Sequence, residues 1–337
     1  MIYIHIPFCK SFCTYCDFYS ELCPGQSLPK VQNFIDELCA EIERRRPEIE
    51  EARSSSVNTL YIGGGTPSVL PPDALKRVVD CLGYGPYDEF TVEVNPDDIT
   101  SGGARYAGAL LSMGVNRVSM GVQSFDDGML KWMNRRHNAS EAKEAFNILR
   151  SAGVENISID LIFGIAHLDE AGWLETIRQA LALGPDHISA YQLSIEEGSA
   201  LAAMVAAGRY REAGEEQCRR QYEVLCRELR EAGFNHYEIS NFARPGREAV
   251  HNSAYWRRLP YVGLGPGAHS LRIGGTQTRS WNSQDLSGWT SSGETLSPEE
   301  IREERLMLGL RTKEGIDGMS IPEEKWFVSD DIISNLI

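Results

Sequence analysis

Short apolar runs alternate with amphipathic segments along the first two-thirds of the chain, and no other property narrows the choice of fold as much. The runs cover residues 2–6, 57–62, 90–94, 117–121, 158–162 and 187–193. Strands separated by helices predict a parallel sheet. Six such units rather than eight favour a partial barrel. We therefore predict an α/β fold, with a (β/α)6 partial TIM-like barrel followed by a smaller α+β region.

The segments between these runs show helical periodicity. Residues 31–45 place apolar side chains at intervals of three and four, and residues 72–82 open with a proline suited to a first helical turn. Three further helices are predicted at 105–113, 140–152 and 172–183, with Ser140 as the N-cap of the second.

The pattern changes past about residue 205, so we predict two domains, 1–207 and 208–337. In the second, residues 212–232 indicate a long helix and 235–242 a strand. Ser297 and Glu300 form a capping-box pattern for a helix that runs to about residue 310. The glycine-rich residues 263–267 have the wrong spacing for a dinucleotide fingerprint, so we expect a structural loop there.

Three cysteines lie on the loop after the first strand, Cys9, Cys13 and Cys16, with the spacing Cys-x3-Cys-x2-Cys. Three thiolates on one loop can ligate three irons of a [4Fe–4S] cube and leave the fourth iron to a small molecule. This arrangement suits a cluster that binds S-adenosylmethionine (SAM). The alternatives are chance clustering and a zinc site, which usually brings a second Cys or His pair that is missing at such a spacing here.

The run Tyr-x-His-Ile-Pro-Phe-Cys, which begins at Tyr3, resembles the radical-SAM superfamily and, within it, the coproporphyrinogen III dehydrogenase-like branch. The resemblance implies a (β/α)6 three-quarter radical-SAM barrel that holds a [4Fe–4S] cluster on the three cysteines. It also implies SAM binding at the carboxyl ends of the strands. The matching positions are Tyr3, Tyr15, Gly64, Gly65, Thr66, Glu93, Gln123, Arg135 and Asp160.

Each of these positions also has an ordinary structural interpretation. The glycines at 63–65 suit a tight turn, or a bare backbone edge against the methionine part of SAM. Glu93 is either a solvated acid or an acceptor for both ribose hydroxyls. Arg135 is either a surface helix charge or the partner of a ligand carboxylate, and Gln123 poses a similar choice. Asp160 lies in an apolar strand and needs a partner, either a ligand hydroxyl or Arg135.

A second segment, residues 251–256, contains His251, Asn252, Tyr255 and Trp256. It suits a turn with a packed tryptophan, but a histidine beside two aromatic rings can also ligate haem iron and stack on the macrocycle. The pattern His-Asn-x-x-Tyr-Trp resembles the HemW-type haem chaperones, so these four residues are predicted to bind haem. The adjacent arginines at 257 and 258 are candidates to pair with its propionates.

The other histidines are weaker candidates. His5 is crowded by the cluster loop, His137 follows two arginines, and His187 starts a strand away from the site. His167, His236 and His269 lack a paired aromatic platform in their immediate sequence; His269 is the next to test.

Two functions are compatible with these resemblances. The first is a haem chaperone that keeps the cluster and SAM and delivers haem to acceptor haemoproteins. The second is an oxygen-independent coproporphyrinogen III dehydrogenase. The enzymes carry a further cysteine where this chain has Phe18, and an extension before the first motif, so we predict the chaperone. A departure at Ala166, where the family usually has proline, touches no ligating group. Another radical-SAM enzyme, such as a methyltransferase, is the weakest alternative.

The bulk properties narrow the partners. A formal net charge of −15 argues against nucleic acid as a partner. The cysteines outside the loop are expected to be reduced thiols in a cytoplasmic protein, and neither a signal peptide nor a membrane span is evident; they are Cys23, Cys39, Cys81, Cys218 and Cys226.

Expected partners are haem and acceptor haemoproteins, respiratory ones included, with peripheral contact to membrane-bound acceptors. A monomer and a dimer both stay open. Residues 208–337 are expected to form a HemN-type C-terminal domain that is shortened at its end.

Overall fold

The computed structural model describes residues 1–23, 28–54 and 57–337. Within these ranges a nine-stranded sheet is accompanied by a three-stranded sheet and a two-stranded pair. The strands are β1 (Ile2–Ile6), β2 (Phe8–Cys9), β3 (Glu21–Leu22), β4 (Thr59–Gly64), β5 (Glu89–Val94), β6 (Arg117–Gln123), β7 (Asn156–Phe163), β8 (His187–Gln192), β9 (Asn235–Glu238), β10 (Asn241–Ala243), β11 (Val262–Leu264), β12 (His269–Arg272), β13 (Thr278–Asn282) and β14 (Ser291–Thr295).

Helices connect most of these strands. They are α1 (Leu28–Arg44), α2 (Arg46–Arg53), α3 (Pro72–Leu82), α4 (Pro96–Ser112), α5 (Asp127–Trp132), α6 (Ala139–Ala152), α7 (Glu170–Leu183), α8 (Ala200–Ala206), α9 (Glu215–Glu231), α10 (Val250–Trp256), α11 (Pro298–Gly309) and α12 (Ser329–Ser334). Short 3-10 helices lie at Pro67–Val69 and Glu323–Val328. Among the described residues, no helix has both the length and the apolar character needed to cross a bilayer.

The predicted parallel sheet is confirmed. The strands β1, β4, β5, β6, β7 and β8 are neighbours in that order, and each adjacent pair is parallel. Their bounds differ from the predicted ones by a few residues: the strand expected at 57–62, for example, spans Thr59–Gly64. Because all six run the same way, their carboxyl ends meet at one end of a partial barrel, where sites of this architecture lie.

The helix starts show where local sequence signals were misjudged. We predicted Ser140 as the N-cap of α6, but the structure has Asn138 in that position. The Asn138 side chain accepts the Glu141 backbone N–H, and the Glu141 carboxylate accepts that of Asn138, so the two form a reciprocal capping box. The capping box predicted for Ser297 and Glu300 is confirmed at the start of α11.

Residues after 207 add strands to both edges of the nine-stranded sheet. The strand predicted at 235–242 is a hairpin, in which β9 pairs with β10 and β10 pairs antiparallel with β8. At the other edge β11 pairs parallel with β1, so part of the loop expected at 263–267 is a strand. Glycine is required at 263, because a Cβ there would lie 2.0 Å from the carbonyl oxygen of His269. We retain the division at residue 207 as a proposal.

One cysteine assignment is corrected. Cys39 and Cys81 form a disulfide, although we expected all five cysteines outside the loop to be reduced. They lie on α1 and α3, which pack against each other, and their Cα atoms are 5.7 Å apart, within the usual range for a disulfide. Helical periodicity placed each cysteine on a helix but carried no information on which helices are neighbours.

Candidate functional site

The cysteine loop is fixed by backbone contacts with distant elements. Cys9 ends β2, which pairs with β3, so the two ends of the loop are held together. Between Cys13 and Cys16, the Thr14 N–H donates to the Met133 carbonyl at 3.1 Å, and the Thr14 carbonyl accepts the Leu201 N–H at 2.7 Å. These bonds attach the loop to α5 and α8.

Polar groups lie beside the thiols. The Cys9 Sγ is 3.6 Å from the Thr66 hydroxyl, and the Arg135 guanidinium donates to the Cys13 Sγ at 3.4 Å. Burial raises the pKa of the Cys9 thiol and raises that of Cys16 to about 11. These thiols therefore favour the neutral form by themselves, and bound metal would replace their protons.

The three thiols share one cavity without converging on a single point. Within the described ranges, no three His, Cys, Asp or Glu side chains surround one point that could hold a single metal ion. A [4Fe–4S] cluster does not need such convergence, because each of Cys9, Cys13 and Cys16 would bind a different iron. All three line a cavity of about 960 Å³ at the carboxyl ends of the strands.

The end of β4 forms a backbone edge that admits only glycine. Gly64 has a φ of +113°, and a Cβ there would lie 2.7 Å from the His5 ring. At Gly65 a Cβ would lie 2.8 Å from the Phe8 carbonyl oxygen. Both residues line the cavity beside Thr66, so the turn and the exposed backbone edge, offered above as alternatives, occur together.

Glu93 presents a carboxylate to this cavity. It accepts hydrogen bonds from the Tyr61 hydroxyl at 2.7 Å and the Gly64 N–H at 3.2 Å. Burial raises the pKa of Glu93 to about 7, although the Tyr61 hydrogen bond opposes the shift. The carboxylate therefore changes its charge near neutral pH.

Arg135 is part of the site rather than a surface charge. Its guanidinium donates to the Asn95 side chain and the Gly121 carbonyl as well as to Cys13. Its Nε atom, like that of Arg117, is buried with no hydrogen-bond partner among the described residues. Both arginines line the cavity. Two unpartnered donors on side chains that line one cavity fit a ligand with acceptor groups, such as a carboxylate.

The partner of Asp160 is a pair of serines. Ser119 donates to its carboxylate at 3.3 Å, and a hydrogen bond from Ser189 also favours the ionised form, although burial raises the pKa of Asp160. Gln123 lies next to an irregularity in β6 and has a φ of +68°, which is uncommon for a residue other than glycine. Both residues line the cavity.

The structure brings nearly all of the predicted cluster and SAM positions to one cavity. Those that line it are Cys9, Cys13, Tyr15, Cys16, Gly64, Gly65, Thr66, Glu93, Gln123, Arg135 and Asp160. Tyr3 is not among the lining residues: its hydroxyl donates to the His5 Nδ1 at 3.1 Å. The His5 Nε2 faces the Tyr19 carbonyl at 2.9 Å and must therefore carry the proton.

Several cavity residues escaped the sequence analysis, among them Tyr61, Arg117, Ser119 and Ser189. They occupy alternate positions along β4, β6 and β8 and face the barrel interior. The intervening residues, such as Val118 and Ile188, are fully buried in the hydrophobic core. Since side chains alternate along a strand, the two-residue period of polar side chains was a signal that could have identified this inner face.

The segment 251–256 forms α10 and lies at the other end of the barrel. His251 is fully buried, with its Nδ1 2.8 Å from the hydroxyl of Thr59, the first residue of β4, and its Nε2 3.1 Å from the Tyr255 hydroxyl. Both ring nitrogens therefore lie within hydrogen-bond distance of protein groups. Burial also lowers the pKa of His251 to about 3. Asn252, the next residue of the same helix, nevertheless lines the cavity.

Several residues around this segment make protein contacts, although the Trp256 Nε1 and the Arg258 Nη2 have no hydrogen-bond partner among the described residues. Arg258 is buried and pairs with Glu304 at 2.8 Å, and Arg257 lies 3.6 Å from Glu314. The pairing of these arginines with propionates stays a prediction, because Arg257 is exposed and the buried Nη2 of Arg258 has no hydrogen-bond partner among the described residues. The Arg311 guanidinium lies over the Trp256 ring, 5.5 Å from its centroid.

A family model and individual proteins both match this chain. Residues 3–180 match the family model described as the radical SAM superfamily. The chain is 36% identical to the Heme chaperone HemW of Synechocystis sp., over 95% of this chain and 80% of that protein. It is 34% identical to the Heme chaperone HemW of Bacillus subtilis, over 96% of this chain and 86% of that one.

A solved structure shares the fold. Coproporphyrinogen III oxidase (HemN) from Escherichia coli, described as a radical SAM enzyme, matches with a TM-score of 0.74. The match covers 92% of this chain and 75% of HemN at 22% identity. At that level of identity the likeness concerns the fold alone.

Proposed function

Because the chain belongs to the radical SAM superfamily and, within it, to the family of the haem chaperone HemW, we propose that it binds haem and delivers it to acceptor haemoproteins. The observation that carries this proposal is the similarity to proteins named haem chaperones over 95% of the chain. Respiratory haemoproteins are candidate acceptors, and a chaperone of this kind would work in the cytoplasm.

The same protein would hold a [4Fe–4S] cluster and SAM in the barrel. Cys9, Cys13 and Cys16 are the proposed cluster ligands, supported by their common loop and by the open cavity beside them. When bound, such a cluster offers its fourth iron to SAM and can supply an electron to it. Arg135, which donates to the Cys13 Sγ, would offset negative charge on the cluster sulfurs.

The remaining cavity residues would bind and orient SAM. The backbone edge at Gly64 and Gly65 suits the methionine part, and the Glu93 carboxylate can accept two ribose hydroxyls. The buried Nε of Arg135 has no partner among the described residues, and it would donate to an acceptor atom of SAM once a shift of the side chain exposed it. Tyr15, Thr66, Gln123 and Asp160 complete the contacts predicted from the sequence, and Asn252, which lines the same cavity, adds one more. Tyr3 would act indirectly, through its bond to His5.

Haem ligation by His251 stays a prediction. Nε2 would have to leave the Tyr255 hydroxyl, and the fully buried ring would have to become accessible. Asn252, Tyr255 and Trp256 share this status, because haem at the floor of the barrel would require α10 to move.

The alternative function, coproporphyrinogen III dehydrogenase, is separated from the chaperone by one pair of assays. The cluster-loaded protein is titrated with haem without oxygen, then mixed with an apo-haemoprotein to measure transfer. In parallel it receives coproporphyrinogen III, SAM and a reductant. We expect haem binding and transfer and no porphyrinogen turnover. Multiple turnovers would replace the chaperone with the enzyme, and failure to bind haem would remove the chaperone altogether.

A further inference from the structure

Of the seven histidines in the chain, five are buried: His5, His137, His187, His236 and His251. His167 and His269 are the exposed ones. A haem ligand on a carrier must be reached by a large flat ligand and later by an acceptor protein. His167 and His269 are therefore the two histidines that a large ligand can reach in this fold.

Around His167 the fold assembles the aromatic platform that its neighbouring sequence lacks. The Trp132 ring centroid lies 4.9 Å from the His167 ring at an angle of 79°, and Tyr210 lies 6.4 Å away at 86°. Trp132 and Tyr210 are themselves 5.1 Å apart. The three rings come from the end of α5, the loop after β7 and the segment before α9. His269 has one aromatic ring, Trp281, stacked 6.2 Å away.

The backbone that carries His167 is held in place. The Gln217 side chain donates to the Ile165 carbonyl at 3.1 Å and to the Leu168 carbonyl at 2.9 Å. The Ala166 N–H donates to the Tyr210 hydroxyl at 3.0 Å, a bond that proline at this position could not make. These hydrogen bonds therefore hold the backbone on either side of His167 in a defined position.

Basic residues adjoin two of these rings in the sequence. Arg209 and Arg211 flank Tyr210, and Lys131 precedes Trp132; all three are exposed. Among the described residues, none of the three has an acidic partner within 4.0 Å, whereas Arg279, beside His269, pairs with Glu304 and Glu294. Acidic neighbours are present as well: Glu212 lies close enough to act on Tyr210, and Asp169 caps α7. The free cations still suit a ligand with two carboxylates.

We propose that haem binds on the surface at His167, with the imidazole as axial ligand, Trp132 and Tyr210 against the macrocycle, and the arginines at 209 and 211 on the propionates. This inference rests on the chaperone function proposed above and adds the place of binding. A neutral imidazole nitrogen donates its lone pair to the iron, and no electron transfer or bond cleavage is needed. A single protein ligand on an open surface leaves the second axial position to an acceptor.

The proposed haem site is adjacent to the cysteine loop, and a hydrogen bond joins the two. The Trp132 carbonyl accepts the Thr14 hydroxyl at 3.1 Å, and Thr14 lies between Cys13 and Cys16. This hydrogen bond would connect the haem site to the cluster loop. Since His167 does not line the cavity, haem bound there would not compete with SAM for it.

The test compares two exposed histidines in the full-length, cluster-loaded protein. Haem is titrated without oxygen into the wild type, His167→Ala and His269→Ala, following the Soret band. We expect His167→Ala to weaken binding at least tenfold and shift the Soret maximum, and His269→Ala to match the wild type. His167→Met should restore binding with a different spectrum, and an Arg209→Gln/Arg211→Gln double variant should weaken binding without moving the band.

The outcomes separate this site from the function it serves. If the wild type binds no haem, the chaperone proposal fails. If the wild type binds haem and His167→Ala keeps its affinity and spectrum, only the surface site is overturned. In that case loss of the band in a folded His269→Ala or His251→Ala variant would identify the ligand.

Discussion

The cysteine loop at 9–16 and the segment at 251–256 both carry metal-ligating side chains in a recognisable pattern, but the fold leaves them in opposite conditions. The thiols line an open cavity, next to arginines whose Nε atoms have no partner among the described residues. His251 lies fully buried at the far end of the barrel, with both ring nitrogens bonded to protein groups. The cavity region keeps unpartnered donors on its two arginines, whereas in the second region the histidine itself is fully bonded, although the buried Trp256 Nε1 has no partner among the described residues.

This difference shows that a ligand-binding pattern has to be judged by what the fold leaves unpaired. Near a protein surface or cavity, an unsatisfied polar atom is available to a ligand. A buried histidine that already bonds two hydroxyls would lose those bonds before it could gain a metal. The following predictions test whether the two regions are separable.

The largest effect is expected at the cysteine loop. Replacing Cys9, Cys13 and Cys16 together with alanine should abolish bound iron and the broad visible absorbance of the anaerobically purified protein, because each thiolate holds a separate iron. The control is a Cys218→Ala/Cys226→Ala double variant, whose cysteines lie on α9 outside the cavity. A full cluster in the triple variant would contradict the assignment of this region as the metal site.

At the barrel floor the expected effect is on folding rather than on the cluster. His251→Ala should lower the free energy of unfolding by about 2–4 kcal/mol, because it leaves a cavity and deprives the buried Thr59 hydroxyl and the part-buried Tyr255 hydroxyl of their partner. Urea titration measures the change, and iron content should stay at the wild-type level. His269→Ala is the matched control, since that ring is exposed and should cost less than about 0.5 kcal/mol. Unchanged stability of His251→Ala would break the comparison.

The pH dependence of this effect has a defined sign. The pKa of His251 is lowered to about 3 in the folded protein, so between pH 3 and its ordinary value of about 6.5 only the unfolded chain takes up the proton. This part of the stability is complete above pH ~6.5 and declines as the pH falls. The difference between the wild type and His251→Ala should therefore be largest near pH 7 and shrink toward pH 4.

In the cavity, Glu93→Gln should weaken SAM binding by about 1.5–3 kcal/mol, the cost of losing a charged acceptor. Because the pKa of Glu93 is raised to about 7, wild-type affinity should increase from pH 6 to pH 8 as the carboxylate ionises, and the variant should lack this increase. Glu238→Gln is the control: burial also raises its pKa to about 7, but it does not line the cavity. Calorimetry that shows equal affinity for Glu93→Gln and wild type would remove Glu93 from the site.

The strand-end residues could be predicted from the sequence because parallel strands place their carboxyl ends together. Once 59–64 and 89–94 are recognised as neighbouring strands, Gly64 and Glu93 must lie close, and the Gly64 N–H does donate to Glu93. The fold class was predictable for the same reason. The helix caps were less so, because Asn138 and Ser140 are both good N-caps and only the actual start of the helix decides between them.

What could not be predicted depends on contacts between distant segments. Cys39 and Cys81 became a disulfide because α1 and α3 are neighbours. His167 was set aside for lack of aromatic residues nearby in the chain, yet Trp132 and Tyr210 surround it in the fold. In the opposite direction, His251 looked available because the hydroxyl that occupies its Nδ1 belongs to Thr59, far away in sequence.

The smallest effect concerns the one point where the two regions meet. Among the residues of the segment 251–256, all of them described, Asn252 is the one that lines the cavity. Asn252→Ala should therefore reduce SAM affinity by about 0.5–1.5 kcal/mol, the value of one neutral hydrogen bond, with little change in stability. Tyr255→Phe should show the reverse, because its hydroxyl bonds His251 and does not reach the cavity. If Asn252→Ala lowered stability and left SAM affinity unchanged, Asn252 would belong to the floor, and the boundary between the two regions would lie above α10.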